Sequence, residues 1–500
     1  MPPLPSHVLA IDQGTTGTRV LVVDARGEVT GQAYAEHRQH YPRPGWVEHD
    51  PEELWERVVG CCRAAVADAG VDPGDLAGLG ITNQRETTIL WERASGRPVH
   101  NALVWQDLRS ADLCRRLEAE GAGELVAERT GLVLDPYFSG TKVAWLLEHV
   151  DGLRSRAERG ELCFGTVDSW LVWKLTGGAV HVTDPTNASR TLLMDLRTLD
   201  YDEELLELLG VPSPLLPEIR PSGAVLGETV TELLGVRLPV AGVLGDQQSA
   251  LFAQACFSPG QAKNTYGTGS FVLANTGSAP VEARGALLAT VALGLAAGAE
   301  YALEGSIFAT GAAVQWLRDG LGVIHEAAET ETLAASLAGN DDVWFVPALA
   351  GLGAPYWDPT ARGTLLGVTR ATTRAHLARA VLEGIAWRTR DVTEAMAAAG
   401  RPVEELRADG GAASNAWLMQ FQADVLGVPV DVAAHTETTS LGAAYLAGLT
   451  TGVWRDRAEV ATLRRTGRRF EPSSSPAAAG RDELYARWRQ AVARAEGWAG

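Results

Sequence analysis

Two short stretches, roughly half a chain apart, constrain this sequence more than any other feature. Val8–Ile11 reads as a strand, Asp12–Gly17 as a Gly/Thr turn and Arg19–Val23 as a second strand, with Asp24–Gly27 turning into a third. Past mid-chain, Asn264–Thr268 leads through Gly269 into Phe271–Ala274, and Asn275–Gly277 turns again. Glycines let a backbone approach an anion closely, so two such units predict two similar α/β domains facing one nucleotide. Length agrees, because 500 residues exceed the ~250–300 that one core supports. The boundary is placed near Ala250–Pro259, giving domains 1–253 and 254–500.

A formal charge of −19 argues against nucleic-acid or anionic-membrane partners, which need a basic face. It does not argue against ATP, which backbone N–H groups and a magnesium ion can hold locally. Only three of the 43 basic side chains are lysines, Lys142, Lys174 and Lys263. The five cysteines form no CxxC pair and no HExxH occurs, so neither a disulfide framework nor a structural zinc site is expected. The longest apolar stretch, Ala286–Ala299, is short for a membrane span and reads as buried strands. No signal peptide is evident, and a cytoplasmic homo-oligomer, dimer or tetramer, without membrane insertion is expected.

Helical spacing of Leu377, Val381, Ile385, Val392 and Met396 predicts a helix from Arg374 that Gly400 ends. Trp417, Leu418, Phe421, Val425 and Leu426 predict another, and Leu484, Trp488 and Val492 a last one. Glu471–Gly480 reads as a surface linker and Arg464–Arg469 as a solvated basic face.

Several chemistries are excluded. No lysine follows a glycine, so there is no Walker A loop; G-x-G-x-x-G and G-x-S-x-G are also missing. Five motifs remain. Asp12-Gln13-Gly14-Thr15-Thr16-Gly17-Thr18-Arg19 offers glycines, hydroxyls and an arginine to phosphate, with Asp12 placed for magnesium; a plain hairpin turn is the alternative. Tyr266-Gly267-Thr268-Gly269-Ser270 is the matching turn of the second half. Ala408–Asn415, with Gly410-Gly411, suits a nucleotide at a helix start, or is simply helix entry with Ser414 or Asn415 as cap. Gly245-Asp246-Gln247-Gln248 places an acid between a strand, Val240–Leu244, and a helix from Ser249, as a general base or as an N-cap. Thr82–Thr88 sets Arg85 beside Glu86, offering donors and acceptors to hydroxyl groups, or forming an exposed ion pair.

Together these motifs resemble the FGGY carbohydrate kinases nearly end to end. Tyr137–Trp145 fits one family signature and Gly363–Glu383 the other. PGWVEHDP (Pro44–Pro51), GITNQRETT (Gly80–Thr88), DPYFSGTK (Asp135–Lys142), TNASRT (Thr186–Thr191), GDQQ (Gly245–Gln248) and GLGAPYWDP (Gly351–Pro359) resemble the branch that phosphorylates glycerol. The resemblance implies two actin-like ATPase (ribonuclease H-like) domains with a catalytic cleft between them. It implies that Arg85, Glu86, Tyr137, Asp246 and Gln247 hydrogen-bond glycerol, with Trp105 and Phe271 packing on its carbons. It implies that Thr15, Thr16, Gly17, Arg19, Thr268, Gly311, Gln315, Gly411 and Asn415 hold ATP, that Asp12 and Asp246 serve Mg2+, and that Asp246, Asp12 and Arg19 are the catalytic set. Gly17 departs from the family, where serine is frequent. Some bacterial members of that branch are inhibited by fructose bisphosphate at a glycine-rich loop; here Thr229–Arg237 keeps only Gly235 of it, and no such inhibition is expected.

The alternatives are a kinase for another polyol or sugar, with smaller groups at Trp105 and Phe271, and an actin-like or Hsp70-like ATPase. The second would share the phosphate turns but has no use for an Arg-Glu pair ringed by aromatics.

Overall fold

The computed structural model describes residues 6–283, 286–474 and 480–499. Two mixed sheets form its frame. In the first, β1 (His7–Gln13), β2 (Gly17–Asp24) and β3 (Val29–Glu36) run antiparallel in sequence, and β4 (Leu76–Asn83) and β5 (Pro239–Gly245) add parallel on the other side of β1. In the second, β6 (Gln261–Tyr266), β7 (Ser270–Gly277), β8 (Leu288–Leu295) and β9 (Gly298–Ile307) are antiparallel, and β10 (Glu405–Asp409) and β11 (Val430–Ala433) add parallel beyond β6. The order β3-β2-β1-β4-β5 of one sheet therefore repeats as β9-β7-β6-β10-β11 in the other. This is the α/β topology of paired actin-like domains, and both predicted strand–turn–strand units sit at equivalent places in it. The apolar run read as buried strands is the β8–β9 hairpin.

Both faces of β1 are apolar because both are covered. Leu9 and Ile11 join Val20, Val22 and the buried stripe Val58, Cys61, Cys62, Ala65 of α1 (Pro51–Ala69). Val8 and Ala10 join Leu21, Val23 and residues of a helix from the far end of the chain. α1 starts where Asp50 Oδ1 caps Glu52 N–H at 2.9 Å with Pro51 as its first residue, and ends at Gly70 in the left-handed region.

Two helices join the halves. α2 (Asp246–Ala253) follows β5, and the small cluster at its far end joins Leu251 and Cys256 to Leu273 and Ala302 of the second sheet. α3 (Arg374–Ala398) and α4 (Ala416–Leu426) cover the second sheet, as the spacing predicts. α5 (Thr438–Thr451) lies in the second half of the sequence but packs on the first sheet. Contact there is backbone on backbone. A Cβ at Gly80 would fall 2.2 Å from Ala443 O, and one at Gly442 2.0 Å from Ser249 O.

Arg464 departs from the expected solvated face: its side chain is only 8% exposed and pairs with Asp431 Oδ1 at 2.8 Å. The strand Thr466–Phe470 that follows is exposed at all but its last residue. Part of the expected linker, residues 475–479, lies outside the described residues. No helix among the described residues is long and apolar enough to cross a membrane.

Candidate active site

The first glycine turn, between β1 and β2, is braced by amides. Gln13 Nε2 donates to Gly14 O at 2.8 Å, Gln84 Nε2 to Gly14 O at 3.2 Å, and Gln39 Nε2 to Thr15 O at 2.8 Å. Thr15 is partly exposed and Thr16 exposed, and both carry hydroxyls. Thr15 Oγ1 also accepts from Trp105 Nε1 at 2.9 Å. Gly17 lies under a ring: a Cβ there would be 2.6 Å from Tyr34 Oη. A serine at 17 would need Tyr34 to move.

Asp12 stands opposite Arg19 in the β1–β2 register. Surrounding protein pushes its carboxyl up to about 7; the Ser440 hydroxyl, donating at 2.9 Å, opposes this, while Asp246 and Glu437 add to it. Arg19 is engaged by Glu437, Nε to Oε2 at 2.9 Å, and its guanidinium lies 5.2 Å from the Tyr34 ring centre.

The second turn is fastened to the helix start it faces. Thr310 and Ala312 N–H donate to Thr268 O at 2.9 and 3.0 Å, and Gly311 N–H to Gly267 O at 2.9 Å. A Cβ at Gly311 would be 2.7 Å from Gly267 O, so this approach requires glycine. Gln315 is exposed one turn later. Gly411 is exposed, with open space beside its Cα. Asn415 is the cap of α4, accepting from Leu418 N–H at 2.9 Å while its amide donates to Thr330 Oγ1 at 3.2 Å. Asp409, ending β10, accepts from Gln254 at 2.7 Å and from Thr438 at 2.9 Å.

Arg85 and Glu86 are buried, which rules out the exposed ion pair. Arg85 lies at the centre of a charged cluster. Its Nη1 and Nη2 reach Glu304 Oε2 and Oε1 at 2.6 and 3.1 Å, and its Nε lies 3.2 Å from Asp246 Oδ1. Arg190 completes it, donating to Glu86 Oε1 at 2.6 Å and Glu304 Oε1 at 3.0 Å. Burial pushes both acids up. Glu304, with three guanidinium contacts, is nevertheless held at about 2, whereas Glu86, with one short bond and Arg85 at 3.8 Å, stays above the usual carboxylate range.

Asp246 is the first residue of α2, which therefore begins three residues earlier than the sequence implies; Gly245 holds the cap position. Asp246 is thus not the N-cap. Its Oδ1 accepts Gln247 N–H at 2.7 Å, and its side chain is 30% exposed, the most accessible carboxylate of the cluster. Gln247 Oε1 accepts from Lys263 Nζ. Tyr137 meets Trp105 edge-on at 5.6 Å, and Lys142 Nζ fixes its segment by donating to Pro136 O and Tyr137 O, each at 2.6 Å. Phe271 packs on the apolar contact between the halves.

The sequence matches the FGGY carbohydrate kinase N-terminal domain over residues 7–253 and the C-terminal domain over 262–451. The chain belongs to the FGGY family of carbohydrate kinases. Glycerol kinase 2 of Thermotoga maritima is 56% identical to this FGGY chain over 98% of it and 99% of the relative. A glycerol kinase of Bordetella parapertussis is 58% identical over 98% of this chain and 97% of its own. The crystal structure of Plasmodium falciparum glycerol kinase with ADP superposes with a TM-score of 0.92 at 34% identity, covering 98% of each chain.

Four residues of this FGGY kinase site escape sequence reasoning. Glu304 and Lys263 lie inside β9 and β6, where a charged residue looks like strand alternation. Arg190 and Gln248, whose Oε1 accepts from Arg85 Nη1 at 3.3 Å, belong to the TNASRT and GDQQ strings, but nothing in those strings reveals their partners. A signal was available for Lys263 and Lys142, because a chain that uses arginine almost throughout keeps lysine at only three places. Both are fully buried and held down to about 8 by that burial.

Proposed function

We propose that this protein transfers the γ-phosphate of ATP to glycerol, giving sn-glycerol 3-phosphate. The observation that carries the proposal is the buried pair Arg85 and Glu86, walled by Tyr137 and Trp105, beside the accessible Asp246, in a chain more than half identical to glycerol kinases over its length. Arg85 and Gln247 would donate to glycerol hydroxyls, Glu86 would accept, and Trp105 and Phe271 would close on the carbons. The domains 1–253 and 254–500 would supply the acceptor and nucleotide sides.

Phosphoryl transfer asks a protein for positioning and charge stabilisation. A terminal hydroxyl would give its proton to Asp246 as its oxygen attacks the γ-phosphorus in line, and the bond from that phosphorus to the bridging oxygen would break on the opposite side, releasing ADP. Arg19, Thr15, Thr16, Gly17 and Thr268 would hold phosphate oxygens, and Gly311, Gln315, Gly411 and Asn415 the rest of the nucleotide. Asp12 and Asp246 suit Mg2+, since hard carboxylate oxygens crowd there. Among the described residues no three-ligand protein cage exists, so phosphate and water would complete the coordination. Magnesium bound there would offset charge on the transferring group. Arg19, which would meet phosphate, is already paired through Nε with Glu437 just before α5.

A panel of glycerol, dihydroxyacetone, erythritol and xylulose with coupled ADP detection tests the assignment. Glycerol is expected to give the highest kcat/KM, at least ~10-fold above xylulose. ADP release with xylulose but not glycerol would overturn it.

A further inference from the structure

Glu304 sits on β9 of the second sheet, yet its carboxylate serves two arginines of the first half. It grips both terminal nitrogens of Arg85 at 2.6 and 3.1 Å and takes Arg190 at 3.0 Å. The side chains of Glu304, Arg85 and Arg190 are 0%, 2% and 0% exposed. A two-pronged carboxylate contact fixes the plane of a guanidinium as well as its place. With Nη1 and Nη2 held in this way, Nε of Arg85 is directed to Asp246, 3.2 Å away. The stem of Arg85 is confined too, since a Cβ at Gly245 would lie 2.7 Å from its Cδ. Lys263 makes a second contact of this kind, from β6 to Gln247 Oε1, which leaves the Gln247 amide nitrogen to donate elsewhere.

We propose that Glu304 is a positioning residue for the acceptor site: from the second sheet it sets the plane of Arg85, so acceptor affinity depends on how the two halves are seated against each other. This rests on the assignment of Arg85 to the acceptor. Glu304 itself touches no reacting atom. A purely structural latch would hold the halves together without favouring one substrate over the other, and kinetics separate the two.

The experiment uses the full chain as wild type, Glu304→Gln and Glu304→Asp. The wild type is assayed first against the polyol panel, and the variants then with its preferred acceptor. Failure of the glycerol assignment therefore shows in the wild type alone and leaves the Glu304 comparison intact. Glu304→Gln keeps the shape and removes the charge. It is expected to raise KM for the acceptor at least ~10-fold while KM for ATP stays within about threefold, the split expected when one substrate's binding group is misplaced. Glu304→Asp keeps the charge on a shorter stem and is expected to fall between the two. Two results overturn the proposal: an acceptor KM within threefold of wild type in a Glu304→Gln protein that binds ADP normally, or parallel rises in both KM values. If Glu304→Gln does not fold, Glu304→Asp decides, with an acceptor KM raised at least threefold and unchanged ADP affinity supporting the proposal, and an unchanged acceptor KM ending it.

Discussion

Trp105 Nε1 donates to Thr15 Oγ1 at 2.9 Å, so the wall assigned to the acceptor and the turn assigned to phosphate are one hydrogen-bonded unit. Trp105 is also tied to the turn through its backbone, whose N–H donates to Thr87 Oγ1 at 3.2 Å, while Thr87 donates to Gln84 and Gln84 to Gly14. Trp105→Phe keeps a ring but loses the N–H, and Thr15→Ala loses the acceptor oxygen. Each is expected to raise KM for ATP about 3–10-fold, and Trp105→Phe to raise KM for glycerol as well. Because one bond of about 1 kcal/mol is lost only once, the double variant should be about fivefold better than the product of the single effects. Strict additivity in kcat/KM would show that the two residues act separately.

Asp246 is the accessible carboxylate beside Arg85, and Asp246→Asn preserves its shape without a base. Loss of ~10²–10⁴ in kcat with little change in glycerol affinity is expected. A variant turning over within about threefold of wild type would leave Asp246 only its structural contacts with Gln247 N–H and Arg85.

The two strand–turn–strand units were legible in the sequence because strand, glycine turn and strand are written in neighbouring residues. The charged cluster was only half legible. Arg85 and Glu86 adjoin, but their partners arrive from positions 190 and 304, and no local pattern reports a pairing across 219 residues. The string PGWVEHDP shows the same gap between recognition and explanation. The ring of Trp46 lies 3.9 Å from the Arg109 guanidinium, Glu48 accepts from Arg109 at 2.7 Å, His49 pairs with Gln39, and Asp50 caps α1. Through Gln39 and Gln84, His49 is linked to the Gly14–Thr15 turn. The start of α2 was misplaced for a different reason: Gly245, a poor helix former, is its cap, and the strand feeds the helix with no intervening loop.

Gly17 predicts a compensated substitution. The atom nearest a Cβ at 17 is the tip of the half-exposed Tyr34, which can swing outward. Gly17→Ser should therefore cost under about 1 kcal/mol, the worth of one exposed cation–π contact with Arg19. In a Tyr34→Ala background the same serine should cost nothing. A thermal-unfolding loss above about 2 kcal/mol in the single variant would show that Tyr34 is pinned.

His49 carries the last prediction, which concerns pH. Its Nε2 lies 2.7 Å from Gln39 Oε1 and its Nδ1 3.3 Å from Gln84 Nε2, so the neutral ring donates to Gln39 and accepts from Gln84. A proton on Nδ1 would meet the Gln84 amide hydrogens. Burial first, then His37 and His40, hold the ring down to about 3, against 6.5 when unfolded. Between those values the unfolded chain binds a proton that the folded chain refuses. The His49 contribution is therefore complete above pH 6.5 and is lost as pH falls toward 3, at up to ~1.4 kcal/mol per pH unit. The total stability curve does not isolate this, because Asp12 and Asp168, each pushed up to about 7 chiefly by burial, gain stability on acidification and run the opposite way. The difference between wild type and His49→Gln does isolate it. The variant should be clearly less stable at pH 8 by urea unfolding, and the gap should close progressively from pH 6.5 to 4.5. A gap that is constant across that range would mean that His49 accepts a proton in the fold, and that the web bracing Gly14 and Thr15 tolerates a cation.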